Sequence, residues 1–384
     1  MPRSRFDFKW FKDHLVAGFL SDRVEGSLGP EGCLMSYWEM RRSPKGSRRS
    51  HVIAQSRAVY DLARGYQLTG KRELLRRAQR AGRFLIDRFL DREYGGYYEM
   101  VGADGEVIDS DKRSYGNTHV VFGLSHLARA TGDAEYRREA FRSWDFIKEH
   151  LADERGGMIY GLKRDLSPAK GHKSQNPIMH VFEGLLGLGD LDGARHIYKE
   201  AEGISRFMID VLLGDDYVLP EYYTDDWGVL PGKKGGQVFV GHAFEWAYFL
   251  AMAADRGFPA RYLKIAERMI EKGLEIGYDR SDGCVFSYTF PEGPLASRDK
   301  SYWEQCEALR AMLHFAILRG RDDLWPYIDA IAEGIRDKFI DGRTHAWRLA
   351  VKGDGTPVPE RGWLKLDYHA IGLCAEVMRL ARYV

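Results

Sequence analysis

Gly241-His-Ala-Phe-Glu-Trp246 opens an apolar run, Ala247-Tyr-Phe-Leu-Ala-Met-Ala-Ala254, that stops at Asp255-Arg-Gly257. An apolar stretch of helical length closed by a glycine carries its own stop signal. The run is hydrophobic on every side, so the helix it predicts belongs in the interior. Gly235-Gly236 turns the chain just before it. Two polar residues interrupt the start, His242 and Glu245, and a spacing of three puts both on one face. For one such pair alone the plain reading is a core histidine bonded to its neighbour.

The pair has an echo. Asn176-Pro-Ile-Met-His180-Val-Phe-Glu183 sets His180-Val-Phe-Glu183 against His242-Ala-Phe-Glu245, each after a turn and before an apolar run. Packing alone explains a repeated buried polar pair poorly, because buried polar groups need partners. The glycine stop also recurs, at Gly70, Gly132, Gly189, Gly257 and Gly320, spaced 57 to 68 positions apart. Before each lies an apolar segment rich in small residues: 52–68, 118–130, 178–188, 239–254 and 303–318, with a sixth at 368–381. After each lies a charged, one-faced segment: 73–90, 135–151, 192–213, 260–276 and 322–339, with 7–19 as the remaining partner.

Six all-apolar helices inside six amphipathic ones predict an all-α (α/α)6 barrel, a single domain over 1–384, its N-terminal helix closing the ring beside the C-terminal one. An open superhelix of helical hairpins is the alternative. The long connections argue against it, since all run from a charged segment to the next apolar one and are Gly-rich and aromatic, as in Glu93-Tyr-Gly-Gly-Tyr-Tyr-Glu99 and Glu221-Tyr-Tyr-Thr-Asp-Asp-Trp227. Several read as hairpins, such as 97–109 around Asp104-Gly105. Long structured loops gathered at one mouth of a rigid scaffold are the usual place for a binding site.

The apolar helices begin with polar residues: Gln55 and Arg57; Lys112, Tyr115, Asn117 and His119; Asn176, His180 and Glu183; His242 and Glu245; Trp303, Glu304 and Glu307; Lys365, Asp367, Tyr368 and His369. If the ring closes, these clusters converge on one cavity. Each also has a plain alternative: Arg57 pairing an internal carboxylate, Tyr115 capping a loop, Glu307 bridging to an outer helix, Trp303 filling core. His242 and His369 bring imidazoles to one level from separate helices, which favours function.

Composition excludes whole classes. Lys+Arg (57) and Asp+Glu (56) nearly cancel, so no bulk field draws nucleic acid or an anionic membrane. The longest apolar run is too short to span a bilayer, and the N-terminus has no signal-like core. Four scattered cysteines without a CxxC fit a reducing compartment, hence a cytoplasmic protein. Nine Trp and 21 Tyr suit a site that stacks on sugar rings, though large cores use aromatics too. No nucleotide-binding glycine motif is present, and no cofactor or metal is called for. The expected partner is a small sugar, with the protein a monomer or homodimer.

The set Gln55-Ser-Arg57, Asn176 to Glu183, Gly241 to Trp246, Trp303-Glu-Gln-Cys-Glu307 and Asp367-Tyr368-His369 resembles the N-acylglucosamine 2-epimerase superfamily, in order and along nearly the whole chain. That group includes cellobiose 2-epimerases and mannose isomerases and uses the (α/α)6 barrel. The resemblance implies that His242 and His369 are the acid–base pair, that Arg57 binds near C1 and C2, and that Asn176, His180, Glu183, Glu245 and Glu307 orient the sugar or the histidines. Tyr115, Trp303 and Asp367 complete the expected substrate-binding set, and Glu245 is expected to hold the His242 tautomer. The chain departs from the pattern at Thr118-His119, where an Ala-Phe pair is usual, and at Ala370-Ile371-Gly372, where the cellobiose branch tends to carry Asn-x-Arg. The expected reaction is removal of the C2 proton of a free reducing sugar, D-mannose first, through an enediolate. From another class, a glycoside hydrolase would use two of the carboxylates flanking a bond. A metal held by the two His-x-x-Glu pairs ranks below both, and non-catalytic carbohydrate binding is a third possibility.

Overall fold

The computed structural model describes residues 5–14, 28–29, 31–34, 49–290, 297–342, 347–358 and 368–384. Among these, twelve helices form two concentric rings. In chain order they are α1 (Phe8–His14), α2 (Val52–Thr69), α3 (Arg72–Phe84), α4 (Ser114–Thr131), α5 (Ala134–Phe146), α6 (Gln175–Gly189), α7 (Ile197–Phe207), α8 (Val240–Ala254), α9 (Arg261–Gly277), α10 (Tyr302–Leu318), α11 (Trp325–Gly334) and α12 (Tyr368–Leu380). The even-numbered helices are buried nearly all round and touch one another in sequence, and α12 packs on both α10 and α2, which closes the ring. The odd-numbered helices bury one face each, and α1 lies against α12. The fold is the (α/α)6 barrel that the repeat predicts. No helix among the described residues is long and apolar enough to cross a membrane.

The short turns obey the glycine signal with one exception. Gly70 and Gly132 cap α2 and α4 in the left-handed conformation. Gly189 instead stays helical, and a Cβ there would strike the ring of Tyr198. The end of α6 is held by Asp190, which receives Tyr198 and a two-pronged bond from Arg256. The left-handed glycine of this turn is Gly193. A side-chain anchor thus replaces the backbone stop.

At the mouth, α4, α6, α8 and α10 are each preceded by a short strand that pairs antiparallel with one from the following loop: Lys112–Arg113 with Gly161–Leu162, Lys173–Ser174 with Tyr222–Tyr223, Val238–Phe239 with Tyr288–Thr289, and Lys300–Ser301 with Ala350–Val351. Arg49–His51 pairs with Met100–Gly102, whose hairpin to Val107–Asp109 turns at Gly105 as expected. These strands start α4 and α6 three to four residues earlier than apolar periodicity does, so Tyr115 and Asn176 lie within the first helical turn. Lys112, read above as a mouth residue, is instead structural: its buried ammonium bonds Asp91 at 2.9 Å and the Arg164 carbonyl at 2.8 Å. Lys173 with Asp153, and Lys300 with Asp279, repeat that clamp. Asn117 and Gln305 grip the backbone N–H and C=O of Tyr97 and Val285 respectively.

Candidate active site

Counting from the first residue of each inner helix organises the site. The sixth residues of α2, α4, α6, α8 and α10 are Arg57, His119, His180, Glu245 and Glu307. The ninth residues, one turn deeper on the same face, are Tyr60, Phe122, Glu183, Tyr248 and Arg310. All ten of these side chains are charged or aromatic. The closed ring brings them together: donor atoms of His180, Glu183 and Glu245 lie within 4.8 Å of one another, as do those of Glu245, Glu307 and His369. Either trio has the donor types of a metal site. Within the protein these atoms already bond one another, Tyr368 and Arg310.

The two candidate catalytic histidines share one neighbour. The rings of His242 and His369 stand 5.1 and 5.2 Å from Trp303, both tilted to the indole. His369 Nδ1 lies 2.8 Å from Glu307 Oε1, so it carries the hydrogen and Nε2 keeps its lone pair. His242 Nδ1 lies 2.8 Å from Glu221 Oε2 and 2.6 Å from the Gln175 amide nitrogen. The carboxylate expected to hold His242, Glu245, does not: its bond goes to Tyr368 at 3.1 Å. The difference lies in direction. Residues three apart share a helix face, but His242, two residues from the mouth strand, meets the loop that bears Glu221. The other pair closes as read from the sequence, His180 Nδ1 to Glu183 Oε2 at 3.2 Å.

Glu221 is itself held. Ser174 and Gln175 donate to its two oxygens at 2.7 and 2.8 Å, and Trp246 orients the Gln175 amide through a 2.8 Å bond to Oε1. Neither Glu221 nor Gln175 was singled out from sequence. Glu99 and Glu221 occupy matching places, each accepting, at its carbonyl, the first N–H of an inner helix, and Glu99 pairs with His51 at 3.0 Å. Arg310 was missed too, although it follows Glu307 by three.

The remaining expected residues take these places. Arg57 is buried, donates to the Tyr115 hydroxyl at 3.3 Å and lies 4.7 Å over the Tyr368 ring. Burial works against its charge, and Tyr115, Tyr368, Tyr302 and Glu245 outweigh it, so the guanidinium holds its proton more firmly than usual. His119 donates from Nδ1 to the Tyr115 carbonyl at 2.7 Å, and its ring lies 4.4 Å from that of His180, tilted to it. Asn176 starts α6 half-buried, its N–H on Ser174. Asp367 lies outside the described residues.

Charge is unevenly shared. Burial pushes the Glu183 carboxyl up to about 8, against the pull of Arg310 and Tyr368. Burial, then Glu307 and Glu183, raise Glu245 well above the carboxylate range. Burial would raise Glu307 likewise, but Arg310 and His369 hold it below its ordinary value. Burial, with His119, Arg57, His242 and His369 nearby, keeps His180 neutral.

The comparisons agree with this geometry. Residues 36–373 match the model of the N-acylglucosamine 2-epimerase (GlcNAc 2-epimerase) family. The chain is 28% identical over 376 residues to a mannose-6-phosphate isomerase of Rhizobium meliloti, covering 94% of each. It is 27% identical over 362 residues to a cellobiose 2-epimerase of Bacteroides fragilis, covering 88% of each. Its fold superposes on the crystal structure of a D-mannose isomerase with a TM-score of 0.86, at 20% identity and with 97% of each chain covered. With the barrel, the paired imidazoles and a family match over most of its length, this chain belongs to the N-acylglucosamine 2-epimerase family and so to the isomerases that act on sugars.

Proposed function

We propose that the chain, working as a single catalytic domain, takes a free reducing sugar, D-mannose first, and moves the proton at C2 without a cofactor. The observation that carries this reading is that His242 and His369 flank one indole, each with Nδ1 bound to its own carboxylate. His369 therefore offers Nε2 as the basic nitrogen, and each imidazolium, once formed, is stabilised from behind by Glu221 or Glu307.

One imidazole takes the C2 proton of the open-chain aldose. The electron pair shifts into an enediolate, and negative charge builds on the oxygens of C1 and C2. Arg57 supplies the fixed positive charge for that state. Its Nε and the Asn176 Oδ1 are buried and have no hydrogen-bond partner among the described residues, as groups awaiting a sugar's oxygens would be. The other imidazole returns a proton to the opposite face of C2, which yields the epimer. Return to C1 yields the ketose. Tyr115 and His180 line the side next to Arg57, and Trp303 gives the flat face between the bases.

The carboxylates favour proton transfer over glycoside hydrolysis. Glu183, Glu245 and Glu307 are all buried and face one another and Tyr368, whereas a hydrolase pair must straddle a bond with room for its oxygen. Cellobiose is the second substrate reading, supported by the cellobiose 2-epimerase relative. Incubation of mannose, glucose, mannose 6-phosphate and cellobiose in deuterated water separates these. Deuterium at C2 of an epimer, or a new ketose, is the expected result, with mannose turned over fastest. Cleaved disaccharide without exchange at C2 overturns the proposal.

A further inference from the structure

The hydroxyl oxygen of Tyr368 lies 2.6 Å from each oxygen of Glu183 and 3.1 Å from Oε1 of Glu245. A phenol has one hydrogen to give and lone pairs to receive. If both carboxyls were ionised, that one hydrogen would serve three negative oxygens, and those left over would press on the phenol's lone pairs in a buried site. The contacts become favourable once one carboxyl carries a proton, so that Tyr368 gives to one acid and receives from the other. Glu245 Oε2 has no hydrogen-bond partner among the described residues, which is tolerable for a neutral acid and costly for a buried ion. Glu307 differs, because Arg310 at 3.4 Å and His369 at 2.8 Å both give it hydrogens.

We propose that Tyr368 is a positioning residue whose phenol joins Glu183 and Glu245 into one proton-sharing unit, leaving Glu307, beside His369, as the charged member of the three. The proton moves without net chemistry: it passes from the Glu245 carboxyl to the phenol oxygen while the phenol hydrogen passes to Glu183, or the reverse. Charge on the His180 side is thereby linked to charge on the His369 side. When His369 gains or loses a proton during turnover, the unit adjusts across the axis. The raised proton affinities of Glu183 and Glu245 agree with it. The cations facing the unit are Arg57 from α2 and Arg310 from α10, with His180 and His369 as the imidazoles. Tyr60, Tyr115 and Tyr302 are the other titratable groups nearby, all phenols.

The functional consequence rests on His369 as an acid–base group, but the proton count does not, so its test needs no sugar. Infrared spectra of the full-length protein in water and deuterium oxide at pH 7 should show the carbonyl stretch of a buried neutral carboxylic acid. The band should weaken in Glu183→Gln or Glu245→Gln. In Tyr368→Phe, which keeps the ring over Arg57, it should shift, and the pH at which it disappears should rise because a donor to the ionised form is gone. The same variant should lose about 10- to 100-fold in kcat with KM little changed and its alkaline limb moved upward. Absence of a neutral-acid band from the wild type at pH 7 overturns the proposal even if no variant folds. So does a band that none of the three substitutions alters. Activity loss in Tyr368→Phe with an unmoved pH profile reduces the residue to a packing role and overturns it as well.

Discussion

Both ends of the barrel bury charge, and they treat it in opposite ways. At the closed end Asp190, Asp255 and Glu376 each meet a base. Asp190 binds Arg256 and Arg129, Asp255 binds Arg319, and Glu376 binds Arg379 at 2.8 and 2.5 Å and His314 at 3.2 Å. The bonds from Arg256 and Arg319 each reach back to the end of the preceding inner helix, a belt that ties the ring. At the mouth, Glu183 and Glu245 share a phenol, and Glu245 Oε2, Arg57 Nε and Asn176 Oδ1 lack partners among the described residues. The outcome shows in two buried glutamates. Burial raises both, yet Arg379 and His314 bring Glu376 down to about 2, while Glu183 stays near 8. Satisfied charge holds the fold together, and unsatisfied charge is held in place by the fold for use on a ligand.

The contrast can be broken in several ways. Replacing His242 or His369 by Ala should lower kcat by about three to four orders of magnitude with an unchanged melting temperature, since each removes a proton-transfer group. Full turnover in His369→Ala would end the two-histidine scheme. At the closed end, Glu376→Ala should cost about 3–5 kcal/mol of stability, because it strands His314 and Arg379, while KM stays as it was. A variant that lost activity but not stability would erase the distinction between the ends. Glu221→Gln should reduce kcat about 10- to 100-fold by removing the carboxylate behind His242.

The pH dependence sharpens the comparison, with opposite signs. Glu183 has its folded pKa raised from 4.5 to about 8, so the folded state keeps a proton that the unfolded chain gives up. Stability is therefore lost as pH rises between these values, and Glu183→Gln should raise the melting temperature at pH 8 by about 1–3 °C, with no gain near pH 4. Glu376 has its folded pKa lowered from 4.5 to about 2. Its contribution is complete above 4.5 and fades as pH falls towards 2, so Glu376→Gln should matter at pH 7 and cease to matter in acid. Thermal melts of both variants across pH decide the point. The smallest expected effect is that of chelation: exhaustive treatment with a metal chelator should leave the rate unchanged. A loss restored by a divalent cation would make the trios around Glu245 metal sites.

Much of this was legible because the barrel is a repeat. Periodic glycines and alternating apolar and charged segments locate the helices, and the long connections locate the mouth. The polar residues that open each inner helix converge as expected, so His242, His369, Arg57, His180 and Glu307 are found together. The His180–Glu183 bond is legible for a simpler reason, since both partners lie on one helix turn. Glu245 was placed correctly and given the wrong partner. Glu221, Gln175 and Arg310 were passed over, because nothing in a single chain says which loop residue leans over which helix start.

Residue order by itself determined the number of helices, their burial and the face each presents, since these follow from a local period and from where water can be excluded. Tertiary structure alone decided which carboxylate stands behind which imidazole, and which buried acids remain neutral. Those outcomes depend on hydrogen bonds and charge–charge distances between helices far apart in sequence, and an ångström there outweighs any pattern in the chain.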